Sequence, residues 1–436
     1  MNGMNEAPES TSRAWLVVAL LWPVALLNYL DRQMLATMGL SIKADIVALQ
    51  SAEKFGQLMA IFMWVYAFCS PLGGVIADRL NRKWLIVASL CIWSAVTLLM
   101  GTVSGFQELY YLRAVMGLSE AFYIPAGLAL IADFHPGATR SLAVGVHMSG
   151  IYMGQALGGV GGWVAEAVSW RAAFAGCGVV GVVYSLVLAA FLCEKPGRSA
   201  RRSRAASTGD GRPGVYWLGY VILLLCFSLP SLPGWAVKNW LPTLLQDRFA
   251  MDQAPSGLWA TLTNASAAFC GVLIGGRLAD RWAKNSLRGR TYVSGLGLLL
   301  TVPAMAGMGL APSFPIAIGC TVLFGLGFGM FDANNMPILC QVAPARFRAT
   351  GYGVMNFVGI ASGAYLTPLL GKLKDSGVPL AIGFAFCALP ALLAACLMFL
   401  LRPKGQFDAP VPAAGEKPGP CREEGVAGGN VSRAGN

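Results

Sequence analysis

The octapeptide Gly73-Gly74-Val75-Ile76-Ala77-Asp78-Arg79-Leu80 returns about 200 residues later as Gly275-Gly276-Arg277-Leu278-Ala279-Asp280-Arg281-Trp282. Both copies stand where an apolar run gives way to basic residues. Each glycine pair therefore falls at a helix end that a second backbone can approach closely, and the Asp-Arg that follows lies at a membrane surface. Recurrence in register marks a duplicated chain whose halves cross the membrane in the same way.

Composition removes the soluble alternative. Hydrophobic residues make up 56% of the chain and charged residues 12%, with a mean hydropathy of +0.59, whereas soluble domains carry about a quarter charged residues. The N-terminal stretch holds Glu6 and Glu9 and only Arg13 as a basic residue. With no small-residue cleavage site after the first apolar run, that run is expected to remain as a helix and not to act as a secretory signal.

Apolar stretches of the roughly 20 residues needed to span a bilayer fall at about 15–36, 54–77, 84–104, 107–131, 140–164 and 171–193 in the first half. The second half offers about 215–245, 256–280, 290–311, 314–340, 349–371 and 377–401. The expected fold is an all-α integral membrane protein with twelve transmembrane helices in two pseudosymmetric six-helix halves. Its divisions are a segment 1–14, a bundle 15–193, a basic linker 194–213, a second bundle 214–402 and a tail 403–436. The tail, rich in Gly, Pro, Ala and Glu, lacks the residues to bury a core.

Basic residues set the expected orientation, because short cytoplasmic loops are enriched in Lys and Arg. Arg79, Arg82 and Lys83 follow the second span, Arg140 the fourth, and Lys195 to Arg212 the sixth. Arg281, Lys284, Arg288 and Arg290 follow the eighth, Arg346 and Arg348 the tenth, and Arg402 and Lys404 the twelfth. Both termini are thus expected in the cytoplasm of a cell whose inner membrane holds the chain. The net charge of +11 reads as a topology signal and as attraction to anionic headgroups, with nucleic acid given little weight. The 11 cysteines stand singly and only His135 and His147 are present, so neither a metal site nor a disulfide framework is expected.

The first copy, as Gly74, Asp78, Arg79, Arg82 and Lys83, resembles the signature of the major facilitator superfamily; the second keeps Gly276, Asp280 and Arg281 without the following basic pair. Gly150, Gly154, Gly158, Gly159 and Gly162 resemble the glycine-rich fifth helix of that superfamily, and small residues at four-residue spacing let helices pack face to face. Within it, Asn28-Tyr29-Leu30-Asp31-Arg32 and the stretch from Arg113 through Gly117 and Glu120 to Pro125 resemble the anion:cation symporter branch. That branch includes proton-coupled carriers of galactonate, glucarate and hexuronates. Spinster-type lipid carriers share a similar first helix, so the pentapeptide alone leaves both branches open. The resemblance implies a secondary transporter, not an enzyme, with a proton as coupling ion, no cofactor, a small organic anion as cargo and a monomer as the working unit.

Ionisable groups within spans are costly and mark sites. Asp31 and Arg32 fall on span 1, Arg113 and Glu120 on span 4, Lys238 on span 7 and Asp332 on span 10, three charges of each sign. From a rise of about 1.5 Å per residue, Asp31 lies roughly 24 Å deep and shares a layer with Arg113. Glu120, two turns beyond Arg113 on the same face, lies near the midplane.

A neutral set suits carriage of a carboxylate with protons, since an acid takes a proton when desolvated and ionises beside arginine. Arg32, helped by Arg113 or Lys238, is expected to hold the carboxylate, with Asp31 and Glu120 exchanging protons. The bland alternative is a structural ion pair between spans 1 and 4. By resemblance alone, Tyr29, Tyr66 and Asn356 are expected to contact substrate.

Span 10 departs from a typical sugar-acid carrier with Phe331-Asp332-Ala333-Asn334-Asn335-Met336-Pro337, in which Asp332 precedes Pro337 as Glu120 precedes Pro125. The two acids read as repeat-related and as facing each other across the central cavity, with Asp332 a third proton carrier. Asn334 and Asn335 suit cargo hydroxyls or merely satisfy backbone near Pro337. Lys238 has three readings: a second anion site, a partner for Asp332, or a snorkelling side chain. Asp78 and Asp280 are assigned to a gate between the halves and not to substrate. His147 reads as a hydrogen-bonded structural residue, and Trp15, Trp163 and Trp170 read as interfacial belt residues. The competing functions are a carrier of an amphiphile or neutral sugar and, more remotely, a receptor that senses without transporting.

Overall fold

A computed structural model describes residues 11–135, 139–194 and 217–402. The first half contains α1 (Thr11–Thr37), a short α2 (Gly39–Asp45), α3 (Ala52–Arg79), α4 (Arg82–Met100), α5 (Phe106–Glu120), α6 (Tyr123–Phe134), α7 (Arg140–Leu157), α8 (Gly159–Ala167) and α9 (Trp170–Phe191). The second contains α10 (Trp217–Phe249), α11 (Gln253–Ala283), α12 (Gly289–Leu310), α13 (Phe314–Asp332), α14 (Asn335–Val342), α15 (Ala345–Asp375), α16 (Leu380–Phe386) and α17 (Ala388–Leu400). The consecutive pieces α5/α6, α7/α8, α13/α14 and α16/α17 each make one crossing, so the described residues cross twelve times. Eleven of these crossings are helices long and apolar enough to span a membrane, and the twelfth is the glycine-rich Arg140–Ala167.

Local chemistry sets the helix ends. Ser51, Asn81 and Ser169 cap α3, α4 and α9 by accepting from the backbone N–H of Lys54, Trp84 and Ala172, which satisfies donors left over in a first turn. Two breaks have the same origin in both halves. Pro125 and Pro337 are each the third residue of the second piece of their crossing. Proline has no N–H and clashes with the carbonyl four residues back, here that of Ala121 and Ala333. Those two residues are the C-caps of α5 and α13, so each helix ends at its acid, Glu120 or Asp332.

Repetition extends to the arginines that enter α7 and α15. Arg140 donates from Nε to the carbonyl of His135 and from Nη2 to that of Ala132. Arg348 repeats the pattern at the same offsets, onto Ala343 and Cys340. The first glycine of each Gly-Gly pair makes the close approach: a Cβ on Gly73 would stand 2.6 Å from the Ala121 carbonyl oxygen, and one on Gly275 would stand 2.5 Å from Met330 Cα. Gly74 and Gly276 meet nothing within 4 Å.

The halves pack most closely at the face opposite the start of α1, called here the far face. Gly56 lies against Pro368, where a Cβ would come within 2.7 Å of the Pro368 Cα, and Gly159 abuts Leu258. Asp375, at the end of α15, accepts from Ser51 Oγ (2.7 Å) and from the backbone N–H of Ala52 and Glu53 (2.9 Å each) at the start of α3. Gln253 on α11 reaches Ser41 and the Gly162 carbonyl, and Glu166 accepts from the Ala254 N–H. Trp170 corrects the sequence reading. It is 1% exposed and donates to Asp45 from beneath the far-face loops, so it is a core residue, while Trp163 is 56% exposed.

Candidate functional site

Between the halves lies a cavity of about 210 Å³. The first half contributes Tyr29 and Arg32 from α1, Tyr66 from α3, and Tyr152 and Gln155 from α7. The second contributes Trp235 and Lys238 from α10, Asn264 from α11, Asp332 from α13, and Tyr352 and Asn356 from α15. Far-face packing closes this space on one side.

Arg32 is the hinge of the charge arrangement. Its Nε donates to Glu120 Oε2 at 2.5 Å, joining α1 to α5, and its guanidinium carbon lies 4.4 Å from the Tyr66 ring centre, 4.7 Å from Tyr29 and 4.9 Å from Phe62. Aromatic faces attract a cation and hold the side chain in place without occupying its N–H donors. Nη2 of Arg32 is buried without a partner, as are Oε1 of Glu120 and Oδ1 of Asp31.

Behind this wall sits a second layer. Glu120, Asp31 and Arg113 are 0%, 2% and 3% exposed and do not line the cavity. Thr97 Oγ1 donates to Asp31 at 3.4 Å. Arg113 lies 4.8 Å from the Phe62 ring centre and against Met116 Sδ, with no ion pair to Asp31 within 4.0 Å. Removing a charge from water costs free energy, most of all where no partner or hydrogen bond offsets it. The unpartnered polar atoms of this layer are therefore costly to bury.

In the second half, Asp332 opens onto the cavity and Lys238 lines it, the two interacting as opposite charges without a direct ion pair. Lys238 thus points inward instead of snorkelling. Tyr152 turns its hydroxyl toward the Asp332 carboxylate from the other half. Asn334 and Asn335 are each 2% exposed and away from the cavity. Asn334 Nδ2 donates back to the Met330 carbonyl, and Asn335 Nδ2 donates to Asp332 Oδ1 at 3.1 Å. Asp332 therefore faces the cavity directly, whereas Glu120 reaches it only through Arg32.

The charged residues of the two repeated segments and those just after them make contacts within their own halves. Arg82 pairs with Asp133 and donates to the Ala129 carbonyl. Asp280 pairs with Arg290 at 3.5 Å, Lys83 lies over Trp84, and Arg79 and Arg281 are exposed. The Asp78 side chain lies outside the described residues. His147 shares a hydrogen bond of 3.1 Å with the Tyr123 hydroxyl and is 0% exposed.

Sequence reasoning missed Tyr152, Gln155, Trp235, Asn264 and Tyr352 on the cavity wall. One signal was available for Tyr352, which stands one helical turn before Asn356 on the same face of α15.

The sequence profile of the Major Facilitator Superfamily matches residues 21–368, and the chain belongs to that superfamily. It is an integral membrane transporter and not an enzyme. Among curated relatives, it is 24% identical to a D-galactonate transporter of Escherichia coli O6:H1, an alignment covering 89% of this chain and 95% of the relative. It is 25% identical to a hexuronate transporter of Bacillus subtilis over 65% of this chain and 69% of the relative. Its fold is similar to the crystal structure of a bacterial homolog of the human lysosomal transporter Spinster, in an inward-facing and unoccupied conformation. That likeness has a TM-score of 0.74 at 19% identity and covers 90% of this chain and 98% of the other.

Proposed function

We propose that this transporter carries a small organic carboxylate, with sugar acids as the leading class, together with protons and by alternating access. The observation that carries the reading is the Arg32–Glu120 pair, in which a cavity-facing cation is held by a buried carboxylate that does not line the cavity. Protonation of Glu120 neutralises that partner and leaves the Arg32 donors to a cargo carboxylate; cargo release returns Arg32 to Glu120, which gives up its proton. Asp31, in the same buried layer, exchanges protons with Glu120, and Arg113 tunes both. Lys238 and Asp332 form a second, cavity-facing couple, with Asp332 as a third proton carrier. Tyr29, Tyr66 and Asn356 contact cargo from the wall, while Asn335 orients Asp332 from behind and Asn334 satisfies the backbone at the helix break.

The galactonate and hexuronate carriers among the relatives support an anionic sugar as cargo. Basic residues at the even-numbered exits support an inner-membrane location with both termini in the cytoplasm. In that orientation the far face is extracytoplasmic and its closure makes this an inward-facing state. The Gly-Gly-x-x-Ala-Asp-Arg segments then form a gate at the cytoplasmic face, which engages across the halves when the cavity opens outward.

Uptake of labelled sugar acids and matched neutral sugars into proteoliposomes, with and without an inward proton gradient, tests this reading. The expected result is accumulation of an acid only with the gradient, with Asp31→Asn and Glu120→Gln each losing accumulation while keeping exchange. Equal movement of neutral sugars, or no movement of any acid, overturns it.

A further inference from the structure

The second half lines the cavity with rings, and those rings are built in from behind. Phe227 and Trp235 on α10 and Phe328 on α13 face the cavity half-buried. Each occupies a space that a glycine leaves open. A Cβ on Gly359 would stand 2.7 Å from Phe227 Cε1, and one on Gly234 would stand 2.9 Å from Phe328 Cε2. Gly363, one turn beyond Gly359 on α15, adjoins the Trp235 indole in the same way. Phe324 stacks on Phe328 with ring centres 5.6 Å apart and planes 22° from parallel, which fixes the Phe328 ring from its other side.

This wall adjoins a cation. Lys238 Nζ lies 5.0 Å from the centre of the Trp235 ring, so a carboxylate held by Lys238 places the atoms attached to it on the aromatic surface. An open polyhydroxylated chain turns hydroxyls in every direction and loses hydrogen bonds to water against such a wall. A six-membered ring behaves differently. A pyranose carries its C–H groups on its faces and its hydroxyls at its edge, and a phenyl ring is apolar on both faces, so either stacks flat on aromatic side chains. The edge polar groups then meet Gln155, Asn264 and Asn356, of which Asn264 has a buried carbonyl oxygen without a partner.

We infer that the cargo is a monocarboxylate borne on a six-membered ring, with the ring face against Trp235, Phe227 and Phe328 and the carboxylate at Lys238 and Arg32. This rests on the carboxylate reading above and narrows it.

The test is competition against the transported acid in proteoliposomes by methyl β-D-glucuronide, a uronate locked as a ring; D-gluconate, an open-chain monocarboxylate; and methyl β-D-glucoside, the neutral ring. The expected order is strong inhibition by the glucuronide, inhibition at least about ten-fold weaker by gluconate, and none by the glucoside, a margin set by ring stacking. Trp235→Leu and Phe328→Leu, which keep apolar bulk without a ring, are each expected to raise the inhibition constant of the glucuronide about ten-fold while leaving that of gluconate unchanged. Gluconate matching or exceeding the glucuronide overturns the ring inference and leaves the carboxylate reading standing. The glucoside matching the glucuronide overturns the carboxylate reading, and the inference falls with it. Equal losses for both acids in the leucine variants overturn the role of the wall.

Discussion

Asp375 caps the helix of the opposite half, accepting from the Ala52 N–H at 2.9 Å across the seam between α15 and α3. A helix N-terminus carries unsatisfied donors and a partial positive charge. This carboxylate satisfies them only while the far face is shut, so it stabilises one conformation of the transporter specifically. Asp375→Ala is expected to raise the population open at the far face by about five-fold, the size of one cap. Spin labels at Val47 and Ser376 report it as a longer distance by double electron–electron resonance; an unchanged distribution sinks the idea.

Lys43 gives the same seam a pH dependence. Burial, and then the positive charge of Lys374, lower it from 10.5 to about 8, against the opposing pull of Asp247 and Asp375. Opening exposes the ammonium and restores its ordinary value. The closed state therefore binds its proton more weakly, and the penalty is complete below about pH 8 and relieved as pH rises from there toward 10.5. Far-face closure is expected to strengthen as pH rises from about 8 toward 10.5, read with the same labels, and Lys43→Met is expected to flatten that response.

At the cavity, Arg32→Lys keeps the charge and removes both the planar fork and the fit beneath Tyr29, Tyr66 and Phe62. It is expected to raise the KM for cargo by about 10- to 100-fold, because one ammonium cannot serve Glu120 and a carboxylate together. Uptake kinetics at fixed proton gradient decide this. A KM within a factor of about two of the parent would show that Arg32 acts only as a charge.

The paired glycines separate on stability. Gly73→Ala drives a Cβ onto the Ala121 carbonyl and is expected to cost about 1–3 kcal/mol as overpacking. Gly74→Ala fills open space and is expected to gain slightly through helix propensity. Thermal unfolding in detergent distinguishes them, and equal melting temperatures would remove the close-approach argument.

Much of this fold was legible because lipid imposes long apolar runs and duplication writes the same marks twice. The breaks after Glu120 and Asp332 were hinted at by Pro125 and Pro337. Break positions, however, depend on which carbonyl a proline ring displaces, and that is a backbone effect. The ionisable residues within spans could be named from cost alone, but their division into a wall and a buried layer could not. Arg113 and Glu120 share a helix face, yet it turns toward α1 and α3 instead of the cavity. The far-face lock stayed hidden because Lys43, Asp247, Lys374 and Asp375 are ordinary surface residues until the halves bring them together. Trp170 misled for the converse reason: an aromatic beside a span end looks interfacial when the loop that covers it is not yet known.

The arginine contacts that recur at Arg140 and Arg348 have a mechanical meaning. Each stitches the start of one spanning helix to the carbonyls that end the span before it, at identical offsets in the two halves. Four N–H donors of fixed geometry therefore oppose any independent slide of α7 past α6 or of α15 past α14. Motion is channelled into the seam, so that each half turns as one lever and a small displacement at the far-face seam becomes a large one at the opposite end.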